Sequence, residues 1–351
     1  DLRELHLSRT EGPAALTARG SIGLGGAAPD LDLAGTWSEL AWPLTGAATV
    51  RSRSGEWHVS GHPDDLRARL AGDLNGLTRL HAAGAWQRGT ASLALRWEDL
   101  RWPDRPDLPT SPSGFFSASG TPGDYRLHLR GELAARPELP VQVLAHGRGD
   151  REHLDLEALS LRALDGQLTA RGQIRWRPEV AWDLAFRGRG LSPERVLPGW
   201  PGAIAVEGES RGRLGADGPT VRIPALAAQG TLRGRALDLK AAGSYQSGKA
   251  TADTFALRLG ESRLRASGSI APDADLTWAL TSPDLSDFHP DLAGSAEGRG
   301  EVTGALPLPR VRMKLAGQGL GWAGHTAQRV DLRAFLAPRG REESRLSLEL
   351  D

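Results

Sequence analysis

Three places in this 351-residue chain carry residue types at spacings that chemistry could use. Gly208-Glu209-Ser210-Arg211-Gly212 has the form of a nucleophile elbow, in which a serine on a sharp strand-to-helix turn is lifted above a sheet for acyl transfer. Gly319-Leu320-Gly321-Trp322-Ala323-Gly324 has the spacing of a dinucleotide-binding loop, whose glycines let a pyrophosphate approach the N-terminus of a following helix. His58 and His62, near Asp64 and Asp65, are the close histidine pair that could offer ligands to a metal.

Each motif depends on the element that would position it. Alternation of apolar and polar residues continues past Ser210 through Leu214, and Gln328-Arg329-Val330-Asp331-Leu332 resumes strand periodicity after the glycine loop, so neither motif is followed by the helix it needs. A repeat of the histidine segment carries Ser117 and Thr121 in place of the imidazoles, which leaves no complete ligand pattern. The expectation is a strand at Ser210, a Gly-rich hairpin at 319–324 and a turn with two exposed histidines. No catalytic residue, metal or cofactor is assigned, and the chain is read as not an enzyme.

The elements themselves are β throughout. Leu16-Thr17-Ala18-Arg19-Gly20-Ser21-Ile22 returns as Leu168-Thr169-Ala170-Arg171-Gly172-Gln173-Ile174 and, more loosely, as Leu264-Arg265-Ala266-Ser267-Gly268-Ser269-Ile270. Odd positions are apolar and even ones are polar in each copy, the period of a strand with one wet face. Longer repeats surround this one. Trp37-Ser38-Glu39-Leu40-Ala41-Trp42-Pro43 matches Trp97-Glu98-Asp99-Leu100-Arg101-Trp102-Pro103, and Gly55, Gly61, Leu70 and Gly72 match Gly114, Gly120, Leu129 and Gly131. Leu168, Gly172, Ile174, Trp182 and Leu184 match Leu264, Gly268, Ile270, Trp278 and Leu280. Residues 1–351 therefore read as one continuous β-repeat array, with internal repeats at about 30–75 and 90–134, and at 164–245 and 259–335.

Composition agrees. Gly 44 and Pro 23 punctuate short alternating runs, and six Phe and two Tyr are few for a large closed core. Equal numbers of basic and acidic residues, 43 each, are spread along the length, so no basic stripe is expected and nucleic acid is excluded as a partner. Absence of cysteine excludes disulfides and thiolate chemistry. No apolar run approaches the 18 residues of a spanning helix, and the chain opens in mid-pattern, which reads as a segment of a longer protein. Leu191-Ser192-Pro193-Glu194-Arg195-Val196-Leu197-Pro198 fits one helical turn, with Ser192 as cap, and Leu285-Ser286-Asp287-Phe288-His289-Pro290 is its counterpart; both are expected to connect sheet layers.

A sandwich, a propeller, a β-helix or a long bent sheet could accommodate such strands. Propeller blades repeat at about 40 to 50 residues, shorter than these repeats, and β-helix rungs are shorter still. An elongated antiparallel sheet curled into a trough explains the irregular period best, because strands can be added without closing a ring. About 25 to 30 strands are expected from this spacing, which predicts a rod on the order of 100 to 140 Å long. The residues expected on its apolar concave face are Leu16, Ile22, Leu70, Leu127, Leu129, Leu168, Ile174, Leu184, Leu264, Ile270, Met313 and Leu315. Arg126, Arg130, Arg263 and Arg265 are expected to point the other way. Trp42, Trp102, Trp182 and Trp278 recur in register and are expected to pack.

The strings Leu164 to Trp176, Trp182-Asp183-Leu184 and Leu191-Ser192-Pro193, with Pro198, Pro201-Gly202 and Gly212, resemble the periplasmic region of the TamB family. Gly260 to Ile270, Trp278, Pro283-Asp284-Leu285, Gly294 and the stretch Gly114 to Gly131 extend the resemblance over most of residues 30–335. This family, the translocation and assembly module subunit, is part of the AsmA-like group of bridge-like lipid-transfer proteins. The resemblance implies a taco-like trough in the periplasm, within a protein anchored to the inner membrane. It also implies passage of phospholipid acyl chains between the two membranes, and the outer-membrane barrel TamA as a partner through a region outside this segment. The alternative is a scaffold or chaperone that assembles and inserts outer-membrane β-barrel proteins and autotransporters by strand addition. Acyl chains need a continuous dry surface, and a soluble protein rarely leaves a large apolar patch open without a use for it.

Overall fold

The computed structural model describes residues 2–8, 13–25, 28–42, 50–75, 78–101, 110–134, 139–271, 273–306, 308–337 and 345–350. The fold is all-β and antiparallel, and the chain divides into two units, Asp1–Ala163 and Leu164–Asp351. The first holds β1 (Leu2–Ser8), β2 (Ala15–Gly23), β3 (Asp30–Trp42), β4 (Val50–His62), β5 (Asp65–Leu74), β6 (Thr78–Gln87), β7 (Thr90–Leu100), β8 (Ser111–Thr121), β9 (Asp124–Ala134), β10 (Pro140–Gly149) and β11 (His153–Ala163). The second holds β12 (Gly166–Arg175), β13 (Val180–Leu191), β14 (Gly202–Gly215), β15 (Gly218–Leu232), β16 (Arg235–Gln246), β17 (Lys249–Leu259), β18 (Ser262–Ile270), β19 (Asp273–Ser282), β20 (Leu292–Ala305), β21 (Arg310–Trp322), β22 (His325–Leu336) and β23 (Arg345–Leu350).

Within each unit every strand pairs with the strands before and after it, a plain meander. Among the described residues neither unit pairs its first strand with its last, so neither closes into a barrel. Among the described residues there are 23 strands, many of them longer than their alternating runs. β15 is an example: Pro224 sits where the register with β16 shifts between Ile223 and Leu226, a bulge at which the ladder does without its missing N–H.

Tight hairpins set the register. Arg88-Gly89, Arg233-Gly234, Ser247-Gly248 and Ala323-Gly324 have positive φ at both central residues, the turn whose twist matches that of the flanking strands. The last of these accounts for the dinucleotide-like spacing: Trp322 pairs with His325 across it, and no helix follows. The two expected helical turns are single 3-10 turns, Pro193–Arg195 and Leu285–Asp287. They link β13 to β14 and β19 to β20, neighbours in the same layer, rather than connecting layers as the sequence suggested. Ser192 makes no side-chain cap. Asp284 does, accepting from the Ser286 N–H at 2.9 Å, because its carboxylate reaches two residues forward.

Glycine in the repeated heptapeptide has one structural cause. Gly20, Gly172 and Gly268 have φ of 142°, 146° and 127°, and a Cβ at each would run into the carbonyl oxygen of Asp32, Asp183 or Asp275 on the facing strand. Only glycine combines that φ with that approach. Tryptophan supplies the complementary part. Trp37 lies against Gly55 and Gly72, Trp97 against Gly114, Trp182 against Gly212, and Trp278 across Gly298 and Gly300. The indole N–H groups of Trp37, Trp97 and Trp182 donate to Ser52, Ser111 and Ser210 at 2.7, 2.8 and 3.0 Å. Trp182 and Trp278 thus pack as expected, while the side chains of Trp42 and Trp102 lie outside the described residues.

Candidate functional site

Cross-strand register turns the period-2 pattern into continuous rows. In the second unit one row runs through Leu168, Gly188, Val206, Ala228, Leu239, Leu257, Leu264, Leu280, Gly298, Leu315, Leu332 and Leu348, from β12 to β23. The next row on that face runs from Ala170 and Phe186 through Gly208, Leu226, Ala241, Phe255, Ala266, Trp278 and Gly300 to Met313 and Ala334. Neither contains a charged residue. A third row joins Ile174, Trp182, Gly212, Val221, Tyr245, Ala250 and Ile270.

The first unit repeats the arrangement. Gly35, Trp57, Leu70, Ala82, Leu95, Phe116, Leu129, Ala145 and Leu159 form one row, and Leu33, Val59, Ala68, Gly84, Leu93, Ala118, Leu127, Gly147 and Leu156 another. Leu16 begins a row with Trp37 and Gly55, and Ile22 one with Leu31 and Gly61. All twelve residues singled out from the sequence therefore lie on the apolar face of their own unit; Leu184 pairs with Gly172 and Ser210 on that face. Arg126, Arg130, Arg263 and Arg265 occupy rows of the opposite face.

Strands pack chiefly against their two sheet neighbours, so this is a single layer. Neighbours bury Trp37, Trp97, Leu156 and Leu259, yet Ile22, Leu70, Leu93 and Ile270 remain between 37% and 47% exposed on the same face. Burial of its own ring, ahead of the Asp150 charge, raises the Tyr125 pKa above its ordinary value. Trp57, which the sequence reading did not single out, stands on this face with its indole N–H buried and unpartnered.

Polar side chains on the other face form cross-strand ion pairs: Arg79 with Glu98, Arg187 with Glu207, Arg211 with Asp183, and Arg312 with Glu301. Hollows of about 930 and 400 Å³ in the first unit and about 800 Å³ in the second cross several strands each. All three open on the charged face: the 400 Å³ hollow takes in Arg126 and His128 but skips Leu127, the 930 Å³ hollow takes in Arg19, His58, Arg96 and Phe115 but not Phe116, and the 800 Å³ hollow takes in Arg265, Arg299 and Lys314. A twisted sheet is saddle-shaped, so either face can be locally concave.

The three sequence motifs fall in strands β4 and β14 and in the hairpin between β21 and β22. Ser210 lies within the uninterrupted strand β14 and accepts from Trp182. His58 meets Asp32 at 2.7 Å, and among the described residues no group of three or more histidine, aspartate or glutamate side chains could hold a metal. No helix among them is long and apolar enough to cross a membrane.

Residues 86–351 match the family model described as TamB, N-terminal domain. Over 230 residues the chain is 22% identical to the translocation and assembly module subunit TamB of Haemophilus influenzae, a match that covers 65% of this chain and 18% of that relative. The chain thus spans less than a fifth of the length of the curated relative it matches.

Proposed function

The chain belongs to the TamB family, and from that premise we propose that its apolar face conducts phospholipid acyl chains between two membranes, by physical passage and without catalysis. The observation that carries this reading is the unbroken row from Leu168 to Leu348, twelve strands without one charged residue. A single charge facing an acyl chain would cost several kcal/mol of desolvation as the chain passed. Leu16, Ile22, Leu70, Leu127 and Leu129 in the first unit are the proposed lipid contacts. Leu168, Ile174, Leu184, Leu264, Ile270, Met313 and Leu315 are those of the second. Curling of the sheet into a trough would bring such rows around the lipid.

The relative's name, a subunit of a translocation and assembly module, supports a setting in the cell envelope. The periplasm is the compartment proposed, in a protein held at the inner membrane by a part outside this segment, with TamA contacted through a region also outside it. Strand addition by a scaffold would need a free sheet edge; β2 to β10 and β13 to β22 are paired on both sides, so among the described residues such a scaffold would have to use an end strand such as β1 or β23. Native mass spectrometry of the purified chain tests the proposal. Co-purified phospholipid, reduced in Leu264→Arg, is expected; a lipid-free chain that binds unfolded outer-membrane strands would favour the scaffold instead.

A further inference from the structure

On the charged face of the second unit one row gathers several cations. Arg265, Ala279, Arg299, Lys314 and Arg333 are successive cross-strand partners from β18 to β22. Arg299, Lys314 and Arg333 thus stand directly opposite one another on three adjacent strands, an arrangement that destabilises a sheet. Arginines stand opposite one another elsewhere on this face, Arg258 with Arg263 and Arg211 with Arg222, but there Arg258, Arg211 and Arg222 each reach an acid, Glu261, Asp183 and Asp253. Among the described residues Arg265, Arg299, Lys314 and Arg333 make no ion pair, and all four are exposed. The sequence had suggested no basic stripe. It arises because cations far apart in the chain are brought into one row by register.

A hollow of about 800 Å³ follows the same row, lined by Arg265, Arg299 and Lys314 and also by the carboxylates of Asp253 and Glu301, which are paired with Arg222 and Arg312. Ala279 stands between Arg265 and Arg299, and its methyl group keeps the floor low where two guanidinium groups can close from either side. In the adjacent row Ser267 and Thr277 add hydroxyls, 3.2 Å apart. We propose that this row binds an oxyanion of the phosphate class, held by Arg265, Arg299 and Lys314 over Ala279. Planar guanidinium groups match the geometry of phosphate oxygens, and the anion relieves the repulsion that the row stores. Glu297, Glu301 and Asp331 flank it on the same face, so a broad anionic membrane plane would meet acids as well as cations. A compact anionic group fits better. The phosphate could belong to a free ligand or to a single lipid headgroup, and the inference does not depend on what the apolar face carries.

The test is calorimetric titration of the 351-residue chain with pyrophosphate at low ionic strength, against sodium chloride of matched ionic strength. The Arg299→Gln/Lys314→Gln double variant should lose at least about tenfold in affinity, the worth of one or two charge-assisted hydrogen bonds. It should also melt at a higher temperature than the unsubstituted chain when no anion is present, since the like charges are gone. Flotation with phosphatidylglycerol vesicles separates the sources. Vesicle binding that requires Arg299 and Lys314 assigns a headgroup, and pyrophosphate binding alone assigns a free phosphate ligand. No pyrophosphate or vesicle binding beyond the salt control, equal binding by the double variant, or an equal loss in Arg79→Gln would overturn the proposal.

Discussion

Gly172 shows how one residue type can carry a fold requirement that its neighbours in sequence do not reveal. Its φ of 146° and the Asp183 carbonyl beside it leave no room for a Cβ. Gly172→Val should destabilise the chain by about 3 kcal/mol or more, from backbone strain plus displacement of the facing strand. Gly123, which has nothing within reach of an added Cβ, should accept alanine within about 0.5 kcal/mol. Urea denaturation of the two variants measures this difference, and equal midpoints would mean that the repeated glycine is a compositional habit. The heptapeptide was legible as a repeat and as a strand. The reason for its glycine was not, because the atom that excludes a side chain lies on another strand. Tryptophan shows the same limit: Trp37 and Trp97 mark the repeat, but their packing against Gly55 and Gly114 becomes visible only in register.

At the scale of elements, strand alternation was readable and the ends of the strands were not. The turn Leu285–Asp287 is secured by Asp287, which is buried and accepts from the Glu261 and Ser262 N–H groups at 3.2 and 3.3 Å and from the Ser262 hydroxyl at 2.9 Å. Arg235 meets the same carboxylate at 3.1 Å, and the Ser262 and Ser282 hydroxyls are linked at 2.8 Å. The counterpart turn at Pro193–Arg195 is held differently, by a two-point pairing of Arg195 with Asp165 at 2.8 and 2.9 Å, and that pairing holds the Asp165 carboxyl below its ordinary pKa. Sequence similarity between the turns therefore hid a difference in chemistry. Asp287→Ala strands two backbone donors, a hydroxyl and a guanidinium, and should cost about 3 kcal/mol or more. In a stack where each strand depends mainly on its neighbours, the damage should remain local. Hydrogen exchange should quicken in β16 to β19 and stay unchanged in β5 to β9. Uniform quickening along the chain would show that the array unfolds as one cooperative body.

For the whole molecule, the apolar pattern was readable strand by strand, and all twelve residues chosen from it share an apolar face within their unit. What a single sequence cannot display is how faces line up across strands. For the apolar side this hardly mattered, since the alternation recurs in each strand and any register that buries it gives apolar rows. For the charged side it mattered fully: Arg265, Arg299, Lys314 and Arg333 look scattered along the chain and stand in one row. The central claim is that lipid travels on the apolar face, and site-specific photo-crosslinking in cells tests it most directly. A photoreactive side chain at Leu129, Leu168 or Leu264 should capture phospholipid, whereas the same group at Arg126, Arg130 or Arg263 on the opposite face should not. Equal capture from both faces, or none from the apolar positions in stably expressed protein, would contradict the account.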